Sequence, residues 1–333
     1  MMPSTPPARS SRLARLARAA CAACLAALPL AALAQGDYPA RAVRIVVPFP
    51  PGGLADSLAR LFGRELQERL GQPFPVESRP GAATNIGAAH VAQSAPDGYT
   101  LLVTTIATNA LNKWSYRNLS FDPHGFAEIG MLGVNTLYVM VAAQSPHRSV
   151  ADLIRSARES TTGLAYGSYG NGGPNHLIAE VFRRAAGIGR LLHVPYKGAS
   201  DASVDLIGGR IDFMIDGATI NLVNSGKLRA LAVAYPRRWP TQPDVPTMAE
   251  LGYPEVTITT YFGLAAPPNT PPAILDRLNQ AVRVIGSDAE IGRRLLGLNV
   301  MAMPVGRQEA AAFMREQSER WGPVLRSLNI TLD

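Results

Sequence analysis

Short apolar runs alternate along this chain with longer stretches in which apolar residues recur every three or four positions. The runs Val43–Pro48, Tyr99–Thr105, Tyr138–Ala143, Leu164–Gly167, Leu191–Pro195, Ile211–Ile215, Leu228–Ala234 and Phe262–Ala266 are rich in Val, Ile, Leu and Tyr. Gly, Pro or Asp bounds them, which predicts strands. Several are apolar at every position, as strands covered on both faces are. Between them, Leu58, Leu61, Phe62, Leu66 and Leu70 fall on one face of a helix. The same spacing predicts helices over His176–Ala186, Ser200–Ile207 and Ile274–Ile285, and a long one over Glu309–Leu328. The alternation predicts an α/β fold with mostly parallel sheets. No internal repeat or disordered linker stands out, and Pro-rich punctuation falls at Tyr235–Met248 and Ala266–Pro272.

The N-terminus breaks this pattern. Met1–Arg18 carries four arginines and no acid, and an apolar run ending in Ala32-Leu33-Ala34 follows. That is the layout of a signal peptide, so residues 1–34 are expected to be a leader cut before Gln35. The apolar run is shorter than the ~20 residues that span a bilayer. Cys21 and Cys24 both lie inside it. Residues 35–333 are therefore expected to use no disulfide, no thiol chemistry and no thiolate metal ligand. The formal charge of +7 comes partly from the leader arginines. The remaining balance does not argue for nucleic acid or a membrane surface as partner. With 47% hydrophobic residues and no second long apolar run, the rest reads as a soluble globular protein, long enough for two lobes.

Three strand-to-helix junctions carry the candidate chemistry. In "VPFPPGGLAD", Pro50 and Pro51 end a strand and Gly52 and Gly53 turn the chain into a helix. The first amides of that helix lack internal partners and suit an anion. Asp56 is placed to cap those amides or to meet a ligand. "RPGAATNIGA" introduces a second, small-residue helix, and "GSYGNGGPNHL" a third with Pro174 at its start. A tight turn with no ligand accounts for the first two equally well.

Catalytic and cofactor readings find little support. A nucleophile elbow around Ser168 needs glycine where Tyr166 stands. His176 lies near, but no third group is evident to orient it. A dinucleotide fingerprint needs glycine at Asn175, and Gly226-Lys227 is followed by Leu228 rather than Ser or Thr. No histidines have metal-ligand spacing. Asp212 and Asp216 share one strand face as an acid pair or, the favoured reading, as turn caps. No cofactor or metal is expected.

These pieces in order, with "PDGYTLL", "HVPYKG", "GGRIDFMID", "GKLRALAV", "DVPTMAELGYP" and "YFGLAAPPNTP", resemble the periplasmic receptors of tripartite tricarboxylate transporters, the TctC-like or Bug proteins. The resemblance covers residues 38–330. It implies a two-lobed, Venus-flytrap (type II) periplasmic-binding-protein fold with two crossover strands. Lobe 1 is then residues 36–137 plus 262–333 and lobe 2 is 138–261. It implies a monomer, exported by a cleavable signal peptide, that binds a small organic acid (or related amide) in the cleft, largely through loop amides. The protein would deliver that ligand to integral membrane permease subunits. The first-lobe contacts it implies are Phe49, Gly52, Gly53, Asp56, Asn85, Gly87 and Thr105. Those of the second lobe are Ser168, Gly170, Asn171, His176 and Asp216. Lys197 reads as scaffold near the cleft.

The chain departs from the family pattern at several points. Leu54 and Gly173 remove hydroxyls from the binding loops, and Gly217 follows Asp216 where a small polar residue is common. These departures suggest a ligand less polar than citrate, an aromatic or short monocarboxylate. The alternatives are a ligand sensor feeding a two-component kinase, which uses the same surface, and a periplasmic hydrolase, which needs an activated nucleophile or a metal.

Overall fold

Eleven strands form two sheets in the computed structural model, which describes residues 38–330 and 332. The expected leader, residues 1–34, lies outside the described residues. The first sheet holds β1 (Arg44–Val47), β2 (Val76–Ser78), β3 (Thr100–Thr105), β4 (Ala127–Asn135), β10 (Thr260–Ala266) and β11 (Val300–Met301) in the order β11-β4-β10-β3-β1-β2. The second holds β5 (Tyr138–Ala142), β6 (Leu164–Ser168), β7 (Leu191–Pro195), β8 (Phe213–Asp216) and β9 (Leu228–Val233) in the order β7-β6-β8-β5-β9.

The two sheets repeat one plan. Each has a parallel triplet, β2-β1-β3 or β7-β6-β8. Each then takes in a strand arriving from the other sheet, which pairs antiparallel on both sides: β10 between β3 and β4, and β5 between β8 and β9. The sheets are therefore more mixed than the all-apolar runs suggest. A strand that arrives directly from another sheet enters without the helical crossover that parallel pairing requires.

The chain passes from the first sheet to the second through Thr136 and Leu137 alone, between β4 and β5. It returns through residues 234–259, whose ends are tied by the Ile258 N–H donating to the Ala234 carbonyl at 2.9 Å. β10 begins at Thr260, two residues before the strand expected from the apolar run.

Helices cover the sheets. They are α1 (Leu54–Leu70), α2 (Asn85–Ala92), α3 (Asn112–Ser115), α4 (Val150–Glu159), α5 (Pro174–Ala185), α6 (Ala199–Ile207), α7 (Ile220–Asn224), α8 (Pro272–Ser287), α9 (Ala289–Gly297) and α10 (Arg307–Ser327). A π-helical turn, Ala107–Leu111, precedes α3. In α1 the predicted stripe is the buried one: Leu58, Leu61, Phe62 and Leu66 all face the core. Burial of each stabilises by roughly 1.5–3 kcal/mol. Gly71, in a left-handed conformation, ends the helix with its N–H on the Gln67 carbonyl.

The largest apolar cluster joins both sheets through α10. Trp321 and Leu325 of that helix belong to the same cluster as Leu177, Ile178 and Phe182 of α5 and Val139 of β5. Arg184 at the end of α5 also donates to the Ser327 hydroxyl at 3.0 Å. One compact unit, Arg41–Asp333, contains both sheets. Among the described residues no helix is long and apolar enough to cross a membrane.

Candidate ligand-binding site

Parallel neighbours end on the same edge of a sheet, so the loops after β1, β2 and β3 gather at one edge, and those after β6, β7 and β8 at another. The carboxyl edge of such a sheet is where ligands bind in open α/β folds. The three singled-out junctions all lie on these edges.

After β1, Phe49 is half-buried and Gly52 is exposed, with φ of 84°. Gly53 precedes α1 and no side chain caps the helix, which leaves its first amides open to an incoming acceptor. Asp56 is buried, and its Oδ2 accepts from the Gly52 N–H at 3.1 Å and the Arg60 Nε at 2.9 Å. Its Oδ1 is buried without a partner. The Arg60 hydrogen bond, reinforced by Gly52, holds the carboxyl below its usual pKa against the opposing effect of burial.

After β2 the chain does something unusual for non-glycine residues. Ala82, Ala83 and Thr84 all take left-handed conformations, with φ of 44°, 47° and 82°. Such a turn costs about 1 kcal/mol or more per residue and persists only when its surroundings hold it. Asn112 of α3 does much of the holding. Its Nδ2 lies 2.7 Å from the Ala83 carbonyl, 2.6 Å from Asn85 Oδ1 and 3.3 Å from Thr84 Oγ1. Thr108 donates to Thr84 at 3.0 Å and sits 3.4 Å from the Thr105 hydroxyl at the end of β3. Asn85 and Thr105 are thus joined through one buried network. Gly87 has a different role. A Cβ there would lie 2.9 Å from the Pro48 Cβ and 3.0 Å from the Arg79 carbonyl, so glycine lets α2 close onto the end of β1. Close packing alone is enough to require glycine there.

In the second sheet, Ser168 closes β6. The loop to α5 runs through Gly170 and the exposed Asn171, with Gly170 at φ of 108°. The His176 Nδ1 accepts from the Gly172 N–H at 3.0 Å, and its ring stacks on His193 of β7 at 4.1 Å between centroids, 11° from coplanar. His193 Nε2 in turn lies 2.5 Å from the Ser168 Oγ. Burial, then His176, lowers the His193 pKa to about 4, and burial lowers that of His176. Both rings are neutral at neutral pH.

Ser168 and His193 have the composition of a nucleophile and its base, but not the arrangement. Ser168 is 0% exposed. Its hydroxyl lies against both the Gly170 carbonyl, at 3.0 Å, and His193 Nε2, so it ties the β6–α5 loop to β7. The pair fastens the loop.

Asp216 ends β8 and caps the turn that follows. It accepts from Ala218 N at 3.1 Å, Thr219 N at 2.8 Å and the Thr219 hydroxyl at 2.5 Å. Asp212 instead accepts from the Ala165 N–H at 2.7 Å. The two aspartates form no acid pair. Burial and then the Asp216 carboxylate push the Tyr169 phenol well above its usual pKa. Lys197 is exposed at the end of β7. Among the described residues no cluster of three His, Cys, Asp or Glu is placed to hold a metal.

Two contacts bring the edges together. A Cβ at Gly172 would meet the Leu332 side chain at 2.6 Å and the Ser115 Cβ at 3.6 Å, so the β6–α5 loop touches α3 and the C-terminal segment. Beside Asp216, Asn299 donates to both the Thr136 and the Gly217 carbonyls, at 3.2 and 3.0 Å, and accepts from the Tyr138 hydroxyl at 3.1 Å.

With the loops on facing edges, comparison with known proteins becomes informative. The profile of the TctC family, the tripartite tricarboxylate transporter family receptor, matches residues 58–330. The chain belongs to the TctC family. Among curated TctC relatives, Protein BugT of Bordetella pertussis is 32% identical over 310 residues, covering 91% of this chain and 94% of BugT. Among solved structures, R. palustris Rpa4515 with adipate is 34% identical, with a TM-score of 0.84 over 89% of this chain and 99% of that one. MatC from Rhodopseudomonas palustris with bound malate is 29% identical, with a TM-score of 0.79 over 86% and 100%. The periplasmic-binding-protein fold implied by the sequence motifs is that of these TctC structures.

Sequence reasoning missed several residues that build these edges. His193, Asn112, Thr84, Thr108 and Asn299 each act through partners distant in the chain; Thr84 and His193 fall inside the quoted motifs, but nothing local shows what they bond. Asn175, weighed only as a place where glycine is lacking, anchors α5 by donating to the Ile215 carbonyl at 2.6 Å.

Proposed function

We propose that this chain is a periplasmic receptor, exported by its leader, that closes on a small organic carboxylate. The cleft lies between lobe 1 (36–137 plus 262–333) and lobe 2 (138–261), and the ligand passes to permease subunits of a tripartite transporter. One observation carries this reading: the uncapped first turn of α1 and the glycine loop after β6 stand at the carboxyl edges of two parallel triplets, and the β6–α5 loop touches α3, which follows β3, at Gly172. In the proposal the ligand carboxylate takes the open amides of the first turn of α1, just after the Gly52–Gly53 turn, with Phe49, Asp56, Asn85 and Thr105 around it. Gly170, Asn171 and the loop held by Ser168 and His176 close from the other side. No chemical step is part of this function.

The ligand in this proposal is a carboxylate less polar than citrate. Leu54 and Gly173 carry no hydroxyl at their positions on the two binding loops. The adipate bound by the R. palustris neighbour, two carboxylates on an apolar chain, is consistent with that chemistry. Calorimetric titration with adipate, malate, benzoate and citrate tests the proposal. It expects adipate or benzoate to bind and citrate to bind most weakly; tight citrate binding would overturn the assignment of ligand class.

A further inference from the structure

Away from those edges, a pocket of about 300 Å³ opens between the π-helical turn, β4 and α10. That is room for one small molecule, at the lower end of ligand-pocket sizes. Thr108 points to the Thr84 network, but Asn109, the next residue, lines this pocket and is 3% exposed. Its Nδ2 donates to the Glu128 Oε1 at 2.9 Å. Asn109 Oδ1 and Glu128 Oε2 are both buried and have no partner. A buried oxygen left without a donor is costly, and here two such oxygens lie on hydrogen-bonded neighbours. The cost extends inward, since the buried Tyr261 hydroxyl is also unpartnered; burial, and then Glu128, raise its pKa well above the usual value. Burial pushes Glu128 itself up to about 8, against the Asn109 hydrogen bond.

The rest of the lining has the opposite character. Phe126 and Met314 form apolar walls, while Arg307 and Arg315 supply guanidinium groups. Arg307 is held by the Glu128 carbonyl at 3.1 Å and by Asp276 at 2.8 Å. Arg315 is exposed.

We infer that this pocket is a second ligand site, separate from the cleft, for a small amino acid with an aliphatic spacer between its amino and carboxylate ends. The amino group donates to Asn109 Oδ1 and Glu128 Oε2, the spacer lies on Phe126 and Met314, and the carboxylate meets Arg307 and Arg315. A simple carboxylate brings neither a donor to the two inner oxygens nor a counter-charge that would hold Glu128 ionised.

Calorimetric titration of the full chain with 4-aminobutyrate and β-alanine, with butyrate and butylamine as one-ended controls, tests the inference. At least one amino acid should bind at one equivalent and more tightly than either control. Arg315→Ala, at an exposed position, and Glu128→Gln should each weaken it at least tenfold, and Asp56→Ala, at the cleft junction, should leave it unchanged. The inference is overturned if neither amino acid binds, if the controls bind as well, or if Asp56→Ala abolishes binding while Arg315→Ala does not. Because Asp56 and Arg315 belong to different sites, failure here is distinguishable from failure of the cleft reading.

Discussion

The Cβ that any other residue would add at Gly217 would lie 2.0 Å from the Thr136 carbonyl oxygen. Thr136 is half of the two-residue passage from β4 to β5, and Gly217 follows the capping aspartate of β8. Asn299 bonds both carbonyls from a left-handed backbone with φ of 62°. The connection between the two sheets is thus closed by backbone against backbone. Gly217→Ser should destabilise by roughly 2–3 kcal/mol through overpacking. Asn299→Ala loses the side-chain bonds and keeps an unfavourable backbone, whereas Asn299→Gly relaxes that backbone and should be less destabilised, by about 1 kcal/mol. Urea unfolding of the three variants measures both effects; equal losses for the alanine and glycine variants would remove the backbone argument.

Asn112 supports a turn that would not hold itself. Its replacement by leucine leaves Ala82–Thr84 without the amide that faces the Ala83 carbonyl and Asn85 Oδ1. The expected loss is roughly 2–3 kcal/mol in stability, together with a drop in ligand affinity of tenfold or more, because Asn85 and Thr84 lose their common anchor. Asn112→Asp keeps the shape but offers an acceptor where a donor is required, and should be as damaging. Thermal unfolding and calorimetry of both variants check this.

Acid should loosen the second-lobe loop. His193 and His176 have folded-state pKa values below the ordinary 6.5, with His193 at about 4. Between those values the unfolded chain binds more protons than the folded one, so the stability contributed by the neutral pair is complete above about pH 6.5 and declines as pH falls toward 4. Protonation of the His176 Nδ1 also removes the acceptor of the Gly172 N–H. The decline should amount to roughly 1–3 kcal/mol, and His193→Phe, which keeps a ring against His176, should flatten it. Denaturant midpoints at a series of pH values measure the slope; an unchanged slope in the variant would assign the acid sensitivity elsewhere.

Much of the fold is legible in the sequence because most strands of the parallel triplets have apolar centres and the helices keep a stripe; β2, Val-Glu-Ser, has no such centre and is not predicted. Leu191–Pro195 is the strand that its residues predict, and α1 starts at Leu54 as the Pro-Gly pair requires. β4 is not legible, although it is the longest strand. Its Gly130 and Gly133 break the apolar run, and pairing with β10 skips a residue twice, so no simple alternation survives. A Cβ at Gly133 would lie 2.4 Å from the Val300 side chain, a contact visible only in three dimensions. The site divides the same way. Gly52, Gly53 and Ser168 are marked by their loops, whereas His193 reaches Ser168 from a neighbouring strand and Asn112 reaches Ala83 from 29 residues away. Asp216 reads correctly as a turn cap, and the close packing of Gly87 against Pro48 and Arg79 is not visible in the sequence, because a small residue at a helix start serves packing as well as ligand approach.

The most direct measurement is a calorimetric titration of carboxylates into the wild-type chain and into Gly52→Pro and Gly170→Pro. Proline fixes φ near −65°, and these positions hold φ of 84° and 108°, so each variant rebuilds one loop and leaves the sheets alone. The account predicts that at least one carboxylate binds the wild type at one equivalent, and that either substitution weakens it a hundredfold or more. A carboxylate that binds both variants as tightly as the wild type would contradict the assignment of the site to these two loops.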